Sequence, residues 1–132
     1  MKVYLCGPIN GLVGDEPKVW RNQAKEWLCF ETLDPMRRDY RGRELDPGIA
    51  QEIVEGDIKD IAECDVLLVM FDKPSVGTSM EVRDAWRDGK HIVIVDQSGK
   101  PLSPWLIYHA HYITPSLRSA CDYINASYGV HL

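Results

Sequence analysis

The spacing of apolar and polar residues changes period several times along the chain. Lys2 to Cys6 (KVYLC) is a short apolar run that reads as a strand, closed by the turn-rich GPINGLVG. From Pro17 the period becomes helical, with Trp20, Ala24, Trp27 and Leu28 on one face. Asp15 or Glu16 can cap that helix, and proline is tolerated in its first turn. Thr32 to Asp34 reads as a short second strand. The segment after it, PMRRDYRGRELDPG, is a polar loop longer than a connection requires. Ile49 to Cys64 follows as a second helix. Val66 to Phe71 (VLLVMF) is apolar throughout, as expected of an interior strand in a parallel sheet. A third helix is predicted over Met80 to Asp88, stopped at Gly89, and a fourth strand over His91 to Val95. After the loop QSGKPLSP come a short fifth strand, His111 to Ile113, and a last helix from about Ser116 to Ala126.

Strands that alternate with helices predict a parallel sheet covered on both faces. The expected architecture is a single α/β domain over residues 1–132, a flavodoxin-like doubly wound sheet of about five mostly parallel strands. In such sheets ligands bind beyond the carboxyl ends of the strands. Four segments should therefore ring one crevice: Gly7 to Asn10 (GPIN), the loop after Asp34, Asp72 to Glu81 (DKPSVGTSME), and the loop after Val95.

Composition narrows the function. A formal net charge of −5 argues against a surface built for polymeric nucleic acid, and leaves room for a small anionic ligand held by local donors. No apolar run approaches the roughly 20 residues that cross a bilayer, and the apolar segment at the N-terminus is too short for a signal peptide. Cys6, Cys29, Cys64 and Cys121 are scattered, without a Cys-x-x-Cys pair. They are expected to be reduced and mostly buried, in a cytoplasmic protein without a structural zinc site.

Chemistry concentrates on three residues. Glu81 is expected in the first turn of the third helix, where free N–H groups and the helix dipole favour an ionised carboxylate. Such a group suits a nucleophile or a stabiliser of positive charge; the alternative is the ordinary acid of a helix N-terminus. Asp57 lies between Ile53 and Ile61 on the apolar stripe of the second helix, apart from Glu55, Lys59 and Glu63. A carboxylate there must find partners or shift its pKa upward; otherwise it sits at the rim and reaches water. Tyr4 on the first strand points to the same region if the register is right, either to position Glu81 or simply to fill the core. His109 and His111 (HAH) would share one face of an extended segment, but no third ligand stands at metal-binding spacing. GPINGLVG lacks a dinucleotide fingerprint, and the loop before Glu81 lacks the Gly-Lys-Ser/Thr of a P-loop.

Taken together, YLCGPI at Tyr4, EGD ending in Asp57, CDVLLVMFDKPSVGTSMEV and the PLSP around Ser103 resemble the nucleoside 2-deoxyribosyltransferase superfamily. The resemblance covers nearly the whole chain and is strongest from Glu55 to Ala85. It implies that Glu81 attacks C1′ of a sugar and displaces the base. Asp57 would assist leaving-group protonation or sugar positioning, and Tyr4 would hydrogen-bond the nucleophile. No cofactor or metal is implied, and the expected partners are a nucleotide or nucleoside and a second copy that shares the active site. Transferases of unphosphorylated nucleosides usually carry an aspartate where this chain has Ser75. That serine and Ser103 resemble the nucleoside 5′-monophosphate N-glycosidases, in which serines donate to the 5′-phosphate. Pro8 and Asn10 depart from the serine and arginine of those hydrolases, so Arg37, Arg38 or backbone N–H groups must take their place. The last segment, NASYGVHL, does not match the aromatic tail of many transferases. The implied substrate-binding set is Gly7, Pro8, Ile9, Asn10, Arg37, Ser75, Gly77 and Ser103. The implied activity is hydrolysis of a nucleotide N-glycosidic bond, with base exchange as the alternative and an inactive nucleotide-binding module as a second.

Overall fold

Period-2 runs rich in Val, Ile and Leu form the strands, and the 3.6-residue patterns between them form helices that lie back across the sheet. The computed structural model describes residues 1–129; Val130, His131 and Leu132, the end of the NASYGVHL segment, lie outside the described residues. In chain order the strands are β1 (Lys2–Cys6), β2 (Glu31–Leu33), β3 (Val66–Phe71), β4 (His91–Asp96) and β5 (Tyr112–Thr114). The helices are α1 (Glu16–Trp27), α2 (Ile49–Glu63), α3 (Val76–Arg87), α4 (Pro104–His109) and α5 (Leu117–Ser127), with a short 3-10 turn at Pro35–Arg37. The strand order is β2-β1-β3-β4-β5, and every pairing is parallel. This is the doubly wound α/β arrangement expected from the sequence.

Alternation along the strands divides the interior into two layers. Val3, Leu5, Val66, Leu68, Val93 and Val95 face α1 and α5. Tyr4, Cys6, Leu67, Val69, Ile92 and Ile94 face α2, α3 and α4. The pairing of Tyr4 with Leu67 and of Cys6 with Val69 carries both β1 side chains into the second layer. That layer holds the chemistry.

Three sequence expectations change. Helix α3 begins at Val76, four residues before the expected Met80, because Ser75 caps it with its side chain on the Thr78 N–H. The loop after β4 contains the short helix α4, capped by Ser103 on the Trp105 N–H. His109 therefore ends a helix and is buried, while His111 is exposed, so the two do not share one face of a strand. On α1 the buried stripe is Pro17, Arg21 and Ala24; Trp20 and Trp27 pack at its edge.

Candidate active site

β1 delivers Tyr4 and Cys6 to the carboxyl edge of the sheet, and the chain then turns through Gly7 and Pro8, both buried. Gly7 is required by close approach. A Cβ there would lie 3.0 Å from Cζ2 of Trp20 and 3.3 Å from the Met70 carbonyl oxygen. Opposite this turn, Ser75 opens α3; its Oγ accepts from the Thr78 N–H at 3.3 Å and from Thr78 Oγ1 at 3.0 Å. Between them lies an open cleft of about 380 Å³, lined by Gly7, Pro8, Ile9, Asn10, Ser75 and Gly77 together with Asp57 and Glu81. Three of the four expected segments, GPIN, the loop after Asp34 and the start of α3, line this cleft beside α2, with Lys73 and Arg38 as the cations in the lining, whereas the loop after Val95 lines a neighbouring cavity.

Glu81 is the sixth residue of α3, one turn deeper than its expected place. The Tyr4 hydroxyl donates to its Oε2, and the Cys6 thiol lies 3.9 Å from its Oε1. Tyr4 is fully buried beneath the cleft. Burial pushes the Glu81 carboxyl up to about 8; Asp57 adds to the rise, while the Tyr4 hydrogen bond and Arg21 oppose it. The expectation of a carboxylate kept ionised by the helix terminus is corrected accordingly. Desolvation of a group set one turn into the helix outweighs a dipole whose effect fades within the first turn.

Asp57 leans from α2 into the same cleft, half-buried. Burial raises its pKa, and hydrogen bonding and charge from Arg38 oppose that rise. Arg38 reaches Asp57 Oδ1 at 3.2 Å and Asp60 Oδ2 at 2.8 Å. Arg37 turns away: it grips both oxygens of Asp60 at 2.7 and 2.8 Å and donates to the Asp34 carbonyl at 2.8 Å. Ser103 lies apart as well, in a neighbouring cavity of about 440 Å³ with Phe71, Arg83, Lys100 and Trp105. Of the expected residues, the structure gathers Tyr4, Gly7, Pro8, Ile9, Asn10, Asp57, Ser75, Gly77 and Glu81, and leaves Arg37 and Ser103 outside.

Arg21 is the participant that the sequence reading passed over. Its guanidinium, fully buried, donates to the carbonyls of Leu5 (3.3 Å), Pro17 (2.6 Å) and Gly7 (3.0 Å), and lies 3.7 Å from Asp34. It locks the end of β1 to α1 and places a positive charge behind Glu81. The signal was an arginine between Pro17 and Ala24, on the stripe that α1 buries.

A tyrosine-gripped carboxyl facing a second carboxyl in an open cleft can attack a sugar carbon and move a proton. The sequence model of the family described as nucleoside 2-deoxyribosyltransferase matches residues 3–129. The chain belongs to the nucleoside 2-deoxyribosyltransferase family. It is an enzyme of glycosyl-transfer chemistry, in a family that acts on small nucleosides and nucleotides. Among solved structures it is similar to a 2-deoxyribosyltransferase from Bacillus psychrosaccharolyticus, with a TM-score of 0.80 and 16% identity over 100% of both chains. It is also similar to the CMP N-glycosidase BcmB of Clostridium botulinum, with a TM-score of 0.65 and 17% identity, covering 95% of this chain and 99% of that one. A conserved protein from Enterococcus faecalis V583 follows at a TM-score of 0.62 and 14% identity, covering 92% and 86%. Among curated proteins, none matches the chain in sequence. At these identities the structural likeness establishes the fold. Among the described residues, no helix is long and apolar enough to cross a membrane.

Proposed function

We propose that this family member hydrolyses the N-glycosidic bond of a nucleoside 5′-monophosphate, a 2′-deoxyribonucleotide by preference, through a glycosyl ester on Glu81. The observation that carries the reading is the Glu81 carboxyl in the cleft, gripped by a buried tyrosine and facing Asp57. At the other end of the cleft, Ser75, Gly77 and Lys73 supply a hydroxyl, the first turn of α3 and a cation, a set that suits a phosphate. The six residue steps from Ser75 to Glu81 span about 9 Å of helix, room for a sugar between phosphate and carboxylate.

With Glu81 raised to about 8 and Asp57 paired with Arg38, the pair carries one proton near neutrality, resting on Glu81. Positive charge growing on the sugar favours the Glu81 carboxylate, so the proton passes to Asp57. An oxygen of Glu81 then bonds C1′ as the C1′–N bond breaks. The electron pair goes to the base, which takes the proton from Asp57. Water next attacks C1′, gives its proton to the Asp57 carboxylate, and the ester bond to Glu81 breaks. The products are free base and deoxyribose 5-phosphate.

The test is incubation with deoxynucleoside monophosphates, with and without an acceptor base, followed by chromatography. Free base and sugar phosphate without acceptor support hydrolysis; base exchange that occurs only with acceptor supports transfer instead. Turnover that survives Glu81→Ala would overturn the mechanism.

A further inference from the structure

We propose that Arg38 is a positioning residue that acts through Asp57, fixing its carboxylate in the cleft and holding it ionised until the pair's proton arrives. The inference deepens the reading above and rests on it for its kinetic consequence.

The geometry is specific. Arg38 comes from the segment just after the 3-10 turn, and its NH2 group bridges Asp57 Oδ1 and Asp60 Oδ2 at 3.2 and 2.8 Å. Asp60 is 3% exposed and is held on its other side by Arg37, so it anchors the bridge from below. The Arg38 guanidinium lies across the backbone of α2 at Gly56. A Cβ at that position would meet Nε, Cζ and NH2 of Arg38 at 3.2, 3.3 and 3.4 Å. The glycine of the EGD sequence thus leaves the space through which the arginine reaches the aspartate one residue on. Asp57 and Asp60, three apart on one helix face, would repel each other without a shared cation.

The groups facing Asp57 from the surrounding elements are Arg37 and Arg38, Asp60, Glu81, and Tyr4 and Cys6 beneath, with Lys73 across the cleft. Of these only Arg38 bonds Asp57. Its loss removes the one bonded cation and leaves burial and the Asp60 carboxylate, which favour the protonated form, opposed by the more distant charge of Arg37. Catalysis needs Asp57 able to accept the proton from Glu81, so kcat/KM should follow a bell. Its acid limb marks the second proton entering the pair, and its basic limb, near 8, marks loss of the first.

The test is carboxyl-carbon NMR titration of Asp57 in the wild type, Arg38→Gln and Arg38→Lys, alongside kcat/KM against pH. In Arg38→Gln the Asp57 midpoint should rise by about one pH unit and the acid limb should move with it. A lysine Nζ falls one bond short of the NH2 that bridges the two carboxylates and will pair with the buried Asp60, so the midpoint should rise there too, by less. An arginine that merely braces the fold would lower activity equally at every pH. An Asp57 midpoint that stays at the wild-type position in Arg38→Gln overturns the proposal. Should Arg38→Gln not fold, an unmoved midpoint in Arg38→Lys overturns it equally. A raised midpoint in a protein that cleaves no nucleotide would support the role of Arg38 and sink the N-glycosidase reading.

Discussion

At the residue scale, the chemistry proposed for Glu81 comes at the expense of stability. Its carboxyl titrates near 4.5 when free and is pushed up to about 8 by burial. Below the free value it is protonated in both folded and unfolded chains and costs nothing. As pH rises from there towards 8, the unfolded chain releases the proton that the folded chain keeps, and stability falls by up to about 1.4 kcal/mol per pH unit. Above 8 the folded protein holds a buried carboxylate and the loss is complete. Glu81→Gln removes this linkage while keeping a side chain of similar shape for the Tyr4 hydroxyl. Urea unfolding should show the variant gaining on the wild type between pH 5 and 8, by a few kcal/mol at most, while turnover is lost. Parallel stability profiles would show that the carboxyl is not buried as described. The residue types of this centre were legible in the sequence. Its protonation was not, because desolvation depends on Tyr4 and Cys6, which lie 77 and 75 positions away in the chain.

At the element scale, the proposed function gives the start of α3 a part in recognition besides its part in folding. Ser75 is extended and caps the helix, and Val76 and Gly77 follow in the first turn, where N–H groups lack partners within the helix. Aspartate caps a helix about as well as serine, so Ser75→Asp should leave stability within about 0.5 kcal/mol of the wild type. Its negative charge would meet a 5′-phosphate at close range. KM for a deoxynucleoside monophosphate should therefore rise by at least about tenfold, equivalent to about 1.4 kcal/mol, with far less change for the matching nucleoside. Equal effects on both would remove the phosphate from this end of the cleft. The sequence placed this helix start too late because hydrophobic periodicity begins only with the first residue that packs on the core. The cap and the exposed Val76 carry no such period. The same blindness hid α4: its six residues are too short for a periodic signal, and only the serine–proline pair at Ser103 and Pro104 marks its start.

At the scale of the whole molecule, the unpartnered surface adjoins the cleft. Val76 and Met80 on α3 and Trp105 and Tyr108 on α4 are 79%, 68%, 73% and 68% exposed, and Ser103 lies between the two helices, outside this chain's cleft. The homodimer expected from the family resemblance would cover this face and set Ser103 near the neighbouring copy's substrate. Farther along α3, Trp86 is half-buried against Tyr108 and His109. Analytical ultracentrifugation should find a dimer at micromolar concentration, and Trp105→Asp with Tyr108→Asp should yield a folded monomer of much reduced activity. A wild-type monomer with full activity would overturn this arrangement.

The sequence by itself determined the succession of strands and helices, the parallel sheet, and the convergence of GPIN, Asp57 and the Ser75–Glu81 segment. Those properties follow from local period and from topology, which a chain reports one element at a time. Tertiary structure alone decided which arginine enters the cleft, where Glu81 keeps its proton, and that Ser103 belongs to a different cavity. Arg37 and Arg38 are neighbours of the same type, and only the open space over Gly56 and the position of Asp60 send one to the cleft and the other away. An ion pair and a buried proton depend on distances between separate elements, and no periodicity along the chain encodes those distances.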